Sequence, residues 1–289
     1  MMCAADLDAD AGAALAVAHA PSARMPVARM RRSVCSSMCS SALETLVEEV
    51  PVALEYNGVS HAVMLATPTD LAEFALGFSL SEAIIASPAE FYGVEIEHGA
   101  AGITAHIDVA AGAFMRLKQR RRSLAGRTGC GLCGVDSLAQ VVRALPLVAP
   151  TRALSDTAIR RAVAEVRQQQ PLNRLTGATH AASWCGRDGA PRITFEDVGR
   201  HNALDKLIGG LQRSQADLSD GFVFITSRAS VEMVQKAATA GIGAMVAISA
   251  PTALAVRTAL ACGMTLVAFA RGDDFTAYAH GANIRMEAA

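Results

Sequence analysis

Hydrophobic and polar positions change rhythm several times along this chain, and each change marks an element. Residues 47–56 and 59–65 read as two strands joined by Asn57-Gly58, a dipeptide suited to a tight hairpin because both turn positions need positive φ. Thr67-Pro68-Thr69-Asp70 then predicts a helix start, with Thr67 as cap, Pro68 at the first helical position and Asp70 closing a capping box. Leu71, Phe74, Ala75 and Phe78 follow at helical spacing and predict its buried face. Residues 93–109 predict further strands.

Pro146 and Pro150 bracket a boundary, and the pattern beyond them differs in kind. Ser155 is placed to cap a helix carrying Ile159, Val163 and Val166 that ends before Pro171. Residues 178–185 and 192–198 read as strands around an Arg187-Asp188-Gly189 turn. Residues 202–211 form a helix with Leu204, Leu207, Ile208 and Leu211 on one side. Strands at 222–226, 245–249 and 264–270 then alternate with helices at 230–240 and 252–261. Strands this short and uniformly apolar, separated by helices, predict a parallel sheet covered on both faces. The fold class is α/β. The expected division is a disordered leader at 1–40, an N-terminal α+β domain at 41–148 and an α/β domain at 149–289.

Composition narrows the function classes. Hydrophobic residues make up 52% of 289, with the excess largely in Ala, which excludes wholesale disorder. Basic and acidic residues balance at 26 and 27, so nothing calls for a nucleic-acid or membrane partner. No apolar run reaches the ~18–20 residues of a membrane helix. The apolar stretch at 11–20 follows Asp6, Asp8 and Asp10, where a signal peptide carries positive charge. Seven cysteines without a regular framework suit a reducing compartment, and a cytoplasmic location is expected.

The sharpest chemical feature is Cys130-Gly131-Leu132-Cys133, set among Gly129, Gly131 and Gly134 and following a basic stretch that includes Arg127. Nearby cations favour thiolate, the nucleophilic form. A structural zinc site needs a second ligand pair, and the chain has no second CxxC. The position after an Arg-rich stretch in mid-chain also differs from a thioredoxin context. From the pattern alone the motif stands open between redox or sulfur chemistry and one part of a metal site. Cys35 and Cys39 read as idle thiols, and Cys185 and Cys262 as ordinary buried cysteines.

Three further segments carry candidate chemistry. Glu196-Asp197-Val198-Gly199-Arg200-His201-Asn202 lies at a strand-to-helix junction, a natural anion site. There Asn202 and Asp205 suit a capping box, while Glu196, Arg200 and His201 are the site candidates. Thr226-Ser227-Arg228-Ala229-Ser230 follows an apolar strand, where α/β sheets bind ligands; Ser227 and Arg228 suit phosphate, and Ser230 suits a helix cap. Phe269-Ala270-Arg271-Gly272-Asp273-Asp274 ends the last sheet strand on the same expected edge. His180 is the other imidazole of note, with a satisfied core histidine as its plain alternative.

Taken in order, these pieces resemble the FdhD family of formate dehydrogenase accessory sulfurtransferases. The resemblance covers residues 43–289. It is carried by Glu48-Glu49-Val50-Pro51, Asn57-Gly58, Ala66-Thr67-Pro68-Thr69-Asp70-Leu71, Thr128-Gly129-Cys130-Gly131-Leu132-Cys133-Gly134, Thr179-His180-Ala181-Ala182, Glu196-Asp197-Val198-Gly199-Arg200-His201-Asn202, Ser227-Arg228-Ala229-Ser230 and Gln235-Lys236-Ala237-Ala238. One departure is visible: Ala178 stands where a second glycine is expected after Gly177. The resemblance implies a cytidine-deaminase-like α/β/α domain, a smaller N-terminal domain and a homodimer. It implies sulfur taken from a cysteine desulfurase as a persulfide on Cys130, with Cys133 assisting. Delivery is then to the bis(molybdopterin guanine dinucleotide) molybdenum cofactor, as substrate, for formate dehydrogenase. It also places cofactor contacts near Phe269 to Asp274, so the guanine nucleotide moiety is an expected partner of the α/β half, with no permanent metal.

Two rivals are defined by the same residues. A zinc deaminase wants H-x-E followed by P-C-x-x-C, whereas here the CxxC precedes the histidines, lacks the proline, and His180 is followed by Ala-Ala. A chaperone that only holds the cofactor predicts that both cysteines are dispensable.

Overall fold

The computed structural model describes residues 20–32, 37–125, 145–149 and 152–287. It opens with an antiparallel hairpin of β1 (Ser22–Arg32) and β2 (Ser37–Val47), paired from Ser22 opposite Val47 to Arg32 opposite Ser37. Residues 22–32 and 37–40 are therefore strand where a disordered leader was expected. Backbone groups alone make this ladder, so a stretch without apolar period does not announce it. Cys35, Arg127, Cys130 and Cys133 lie outside the described residues.

The next sheet follows the expected rhythm. It comprises β3 (Val50–Tyr56), β4 (Val59–Ala66), β5 (Phe91–Gly99) and β6 (Gly102–Val109), in the order β4-β3-β6-β5. Asn57 and Gly58 take positive φ of 46° and 78° between β3 and β4, as the hairpin turn demands. Strands β3 and β6 are parallel, so helix α1 (Leu71–Ser81) is the crossover between the two hairpins. Val52, Leu54, Tyr56, Ile103, Ala105 and Ile107 point inward at alternate positions and are buried. Helix α2 (Ala111–Ala125) follows β6.

Helix α1 is buried on almost every side, with Leu76, Gly77, Ser79, Leu80 and Ser81 inside as well as the predicted face. Its start also differs from expectation. Asp70, not Thr67, is the N-cap, in the left-handed region and without a side-chain cap bond. Thr67 is buried and engaged with the second half of the chain.

That half contains β7 (Leu154–Ser155), α3 (Asp156–Glu165), α4 (Pro171–Thr176), β8 (His180–Gly186), β9 (Pro191–Asp197), α5 (Arg200–Arg213), β10 (Gly221–Ile225), α6 (Val231–Thr239), β11 (Ala244–Ala247), α7 (Ala253–Cys262), β12 (Thr265–Arg271), β13 (Asp274–Ala279) and β14 (Ile284–Arg285). Strands β8–β13 form one six-stranded sheet in the order β13-β12-β11-β10-β8-β9. The sheet is mixed rather than parallel: β10, β11 and β12 are parallel neighbours, whereas β8, β9 and β13 join antiparallel. Hairpins at 186–190 and 271–274 supply these outer strands, which the apolar runs alone do not distinguish from crossovers. Strand β12 is accordingly followed by an edge strand and is not the last. Ser155 caps α3 as expected, accepting from Ala158 N, and Thr252 caps α7 in the same way, accepting from Ala255 N. Ser230 is the N-cap of α6 but makes no side-chain cap bond. Gly177 takes positive φ (69°) at the end of α4 and Ala178 does not, so the alanine departure is sterically neutral.

Alternation along β10 separates the layers. Phe222 and Phe224 join Ile159, Ala162 and Val166 on the α3 side. Val223 and Ile225 join Leu204, Leu207, Met233 and Ala237 on the other. The larger cluster continues through Phe74 and Phe78 into Val52, Leu54 and Ile107, so both halves share one core. Their contact is closest where α1 crosses α5. A Cβ on Gly77 would collide with the Asp205 carbonyl, and one on Gly209 with the Glu73 carbonyl. Among the described residues, no helix is long and apolar enough to cross a membrane.

Candidate functional site

Strand directions bring the ends of β9, β10, β11 and β12 and the starts of β8 and β13 to one edge of the six-stranded sheet. This is the edge where α/β sheets bind ligands, because the loops that leave it are free to vary. Backbone and side-chain hydrogen bonds tie its loops together. Thr226 Oγ1 accepts from Ala181 N at 2.8 Å, Ala229 N donates to Ala250 O at 3.2 Å, and Phe269 N donates to Ser249 O at 3.2 Å. Arg271 Nε donates to Ile248 O at 3.0 Å.

Residues 269–274 form the outer part of this edge. Phe269 has φ of 52°, at an irregularity in the pairing between Ala268 and Arg271. The kink leaves the residue 41% exposed, with the Arg271 guanidinium 5.8 Å from the ring centroid and the Tyr278 ring at 6.5 Å. Ala270 is buried, whereas Gly272, Asp273 and Asp274 make the exposed turn into β13, with Gly272 at positive φ.

Most of the 196–206 segment is structural. The Glu196 carboxylate accepts from Leu172 N (2.9 Å), Asn173 N (2.8 Å) and Thr179 Oγ1 (2.8 Å), so it holds the first turn of α4 and does not face outward. Asp197 and Lys206 make a fully buried ion pair at 2.7 Å. Asp197 also accepts from Thr67 N, Gly199 N and Asn202 Nδ2, and Lys206 donates to Thr67 O. Val198 N donates to Thr67 Oγ1. Helix α5 starts at Arg200 behind Gly199, so Asn202 and Asp205 lie within it and form no capping box. Asp205 instead meets Lys236 at 2.9 Å and Ser81 Oγ at 2.6 Å, and Lys236 reaches Glu82 at 2.7 Å. Burial pulls the Lys236 ammonium down, but the Asp205 and Glu82 carboxylates outweigh it and hold the pKa up.

Arg200 and His201 are the members of this segment that reach the edge. His201 Nε2 lies 2.9 Å from Glu232 Oε2, and Arg200 Nη2 lies 4.0 Å from the same oxygen. Burial and the Arg200 charge lower the His201 pKa, and the same two causes lower that of His180 at the start of β8. Burial and the neighbouring guanidinium thus favour the neutral form of both imidazoles. Arg200 Nε is shielded from solvent and has no hydrogen-bond partner among the described residues. Arg228 is exposed at the edge. Ser227, expected as a phosphate contact, is only 5% exposed and its hydroxyl donates to Arg228 O at 3.2 Å, closing the turn.

The structure therefore places Arg200, His201, His180, Arg228 and residues 269–274 along one edge of the sheet, with Arg200 beyond β9 and residues 269–274 at the β12–β13 end, and withdraws Glu196 and the Ser227 hydroxyl. Glu232 was missed by sequence reasoning, since a first-turn glutamate reads as ordinary helix chemistry. Cys185 and Cys262 are buried, and burial pushes their thiols up, Cys185 to about 12, so both stay protonated. Among the described residues, no group of three His, Cys, Asp or Glu side chains is placed to hold a metal ion. Two cavities of about 400 Å³ lie elsewhere, one around Trp184, Asp188 and Asp220 and one around Asp70, Leu172 and Phe195.

Comparison with known proteins gives a consistent result. The FdhD/NarQ family matches residues 47–285. A sulfur carrier protein FdhD of Variovorax paradoxus is 57% identical over 232 residues, 80% of this chain and 84% of that protein. One of Cupriavidus necator is 53% identical over 85% of each chain, and one of Bordetella petrii 48% over 90% of this chain and 93% of the other. The crystal structure of a candidate formate dehydrogenase accessory protein from Desulfotalea psychrophila superposes with a TM-score of 0.69. It covers 91% of this chain and 99% of its own at 22% identity, a likeness of fold.

Proposed function

The chain belongs to the FdhD/NarQ family, and from that premise we propose that it is a sulfur carrier serving formate dehydrogenase. In this reading Cys130 takes the outer sulfur of a persulfide on a cysteine desulfurase. The donor's S–S bond breaks, a new one forms at Cys130 and the donor leaves as thiol, so the exchange needs no oxidant or reductant. Cys133 assists the onward step to Mo-bis(molybdopterin guanine dinucleotide), which is bound as substrate. The observation that supports the reading is the placement of Arg200, His201, Arg228 and residues 269–274 along the same edge of the six-stranded sheet. Arginine forks suit a diphosphate, the exposed Phe269 ring suits a base, and Asp273 or Asp274 suits the donor edge of guanine.

The same reading takes the three-layer half as cytidine-deaminase-like, the domains as 41–148 and 149–289, and the working form as a cytoplasmic homodimer. Its test is intact-protein mass after incubation with cysteine desulfurase and cysteine. One added sulfur is expected on the wild type and on Cys133→Ala, and none on Cys130→Ala. Formate dehydrogenase activity in a strain lacking its own carrier should fail with either cysteine removed. Full activity from the Cys130→Ala/Cys133→Ala chain would replace this reading with one in which the protein only holds the cofactor.

A further inference from the structure

We propose that Glu232 is a resident counter-ion of the phosphate site, holding Arg200 and His201 until a phosphate-bearing ligand displaces it. The inference rests on the reading of this edge as a nucleotide-phosphate site. Glu232 lies in the first turn of α6, where the helix dipole favours a carboxylate, and Ser230 Oγ is 3.3 Å from its Oε2. The same oxygen faces His201 Nε2 at 2.9 Å. With that nitrogen donating, Nδ1 of the neutral ring is left as an acceptor.

Its hold on Arg200 is incomplete. Nη2 stands 4.0 Å away, beyond hydrogen-bond reach, and the adjacent Nε is shielded and unmet among the described residues. Nε and Nη2 form the side-on fork by which an arginine grips two oxygens of one phosphate. A desolvated donor without an acceptor is costly, and phosphate supplies both oxygens and more charge than a carboxylate. Glu232 is also free to yield, because its side chain is 58% exposed, whereas Asp197 is fully buried and saturated. Ligand affinity is then a difference between phosphate gained and Glu232 released, which selects for highly charged anions.

The test is calorimetric titration of the full-length chain with inorganic pyrophosphate, GDP and guanosine at constant ionic strength. Glu232→Gln should bind pyrophosphate and GDP about tenfold more tightly, the scale of removing one like charge a few ångströms away, with guanosine unchanged. Glu232→Asp, which keeps the charge, should stay near wild type. Unchanged or weaker pyrophosphate binding by Glu232→Gln overturns the proposal, as does equal tightening in Glu232→Asp or no pyrophosphate binding in any chain. Failure of the nucleotide reading looks different: pyrophosphate tightens in Glu232→Gln while GDP gains nothing over it.

Discussion

The inward and outward faces of the 196–206 segment differ in how completely their polar groups are met. Glu196, Asp197, Asn202, Asp205 and Lys206 point inward and have partners at hydrogen-bond distance. Arg200 and His201 point toward the sheet edge, share one carboxylate and leave a shielded N–H unmatched. Charge buried in a protein is tolerated when its set of partners is complete. A binding site needs the opposite, groups held in place with capacity left over. Density of charge in the motif is therefore a poor guide to where the ligand goes, and incompleteness is a better one.

The comparison breaks most sharply at Lys206. Lys206→Met leaves Asp197 buried without its counter-ion and should cost about 3–5 kcal/mol, read as a lower denaturation midpoint. A wild-type midpoint would mean that the inner network carries no stability. Gly209→Ala should cost about 1–3 kcal/mol in the same assay, because the new methyl must push α1 away from α5 against the Glu73 backbone. On the outward face the readouts change places. Arg200→Gln should alter stability by less than about 0.5 kcal/mol, while weakening GDP about 10–100-fold through loss of a charge-assisted contact.

The smallest expected effect is one of sign. His106 bridges Glu97 and Glu55 across β5, β6 and β3, and these hydrogen bonds raise its pKa. Its contribution to stability is present below the unfolded histidine value and is lost as pH rises through the folded one. His201 has a lowered pKa, so the unfolded chain takes up its proton more readily. Stability linked to His201 is therefore present above the unfolded value and is lost as pH falls below it. Unfolding midpoints between about pH 5 and 8 should show His106→Gln flattening the alkaline loss and His201→Gln the acid loss. Slopes of the same sign would refute the contrast.

Periodicity made much of this architecture legible. Strand β10 and its neighbours are apolar runs between helices, and Ser155 caps where a hydroxyl before an amphipathic run says it should. What escaped is what depends on distant partners. Thr67 reads as a cap, yet its hydroxyl serves Val198, 131 residues away. Glu196 reads as a site residue, yet it closes a helix turn 23–24 residues earlier in the chain. Asn202 and Asp205 fit a capping box only if α5 starts three residues later than it does. At the site, Arg200, His201, Arg228 and residues 269–274 were legible from residue type and strand-end position. Glu232 was not, because its meaning comes from the crossing of α5 and α6.

The junction between Thr67 and Asp197 also sets an order of events during synthesis. These residues are 130 positions apart, and α1, apolar on almost every side, finds its second cover only in α5. At roughly 5–20 residues per second, a ribosome needs on the order of ten seconds to make the missing stretch. Throughout that interval the emerging first half has a sheet for one side of α1 and nothing for the other. Such a nascent chain is a natural client for chaperones that shield apolar helices, and its folding is completed by the arrival of its own second half.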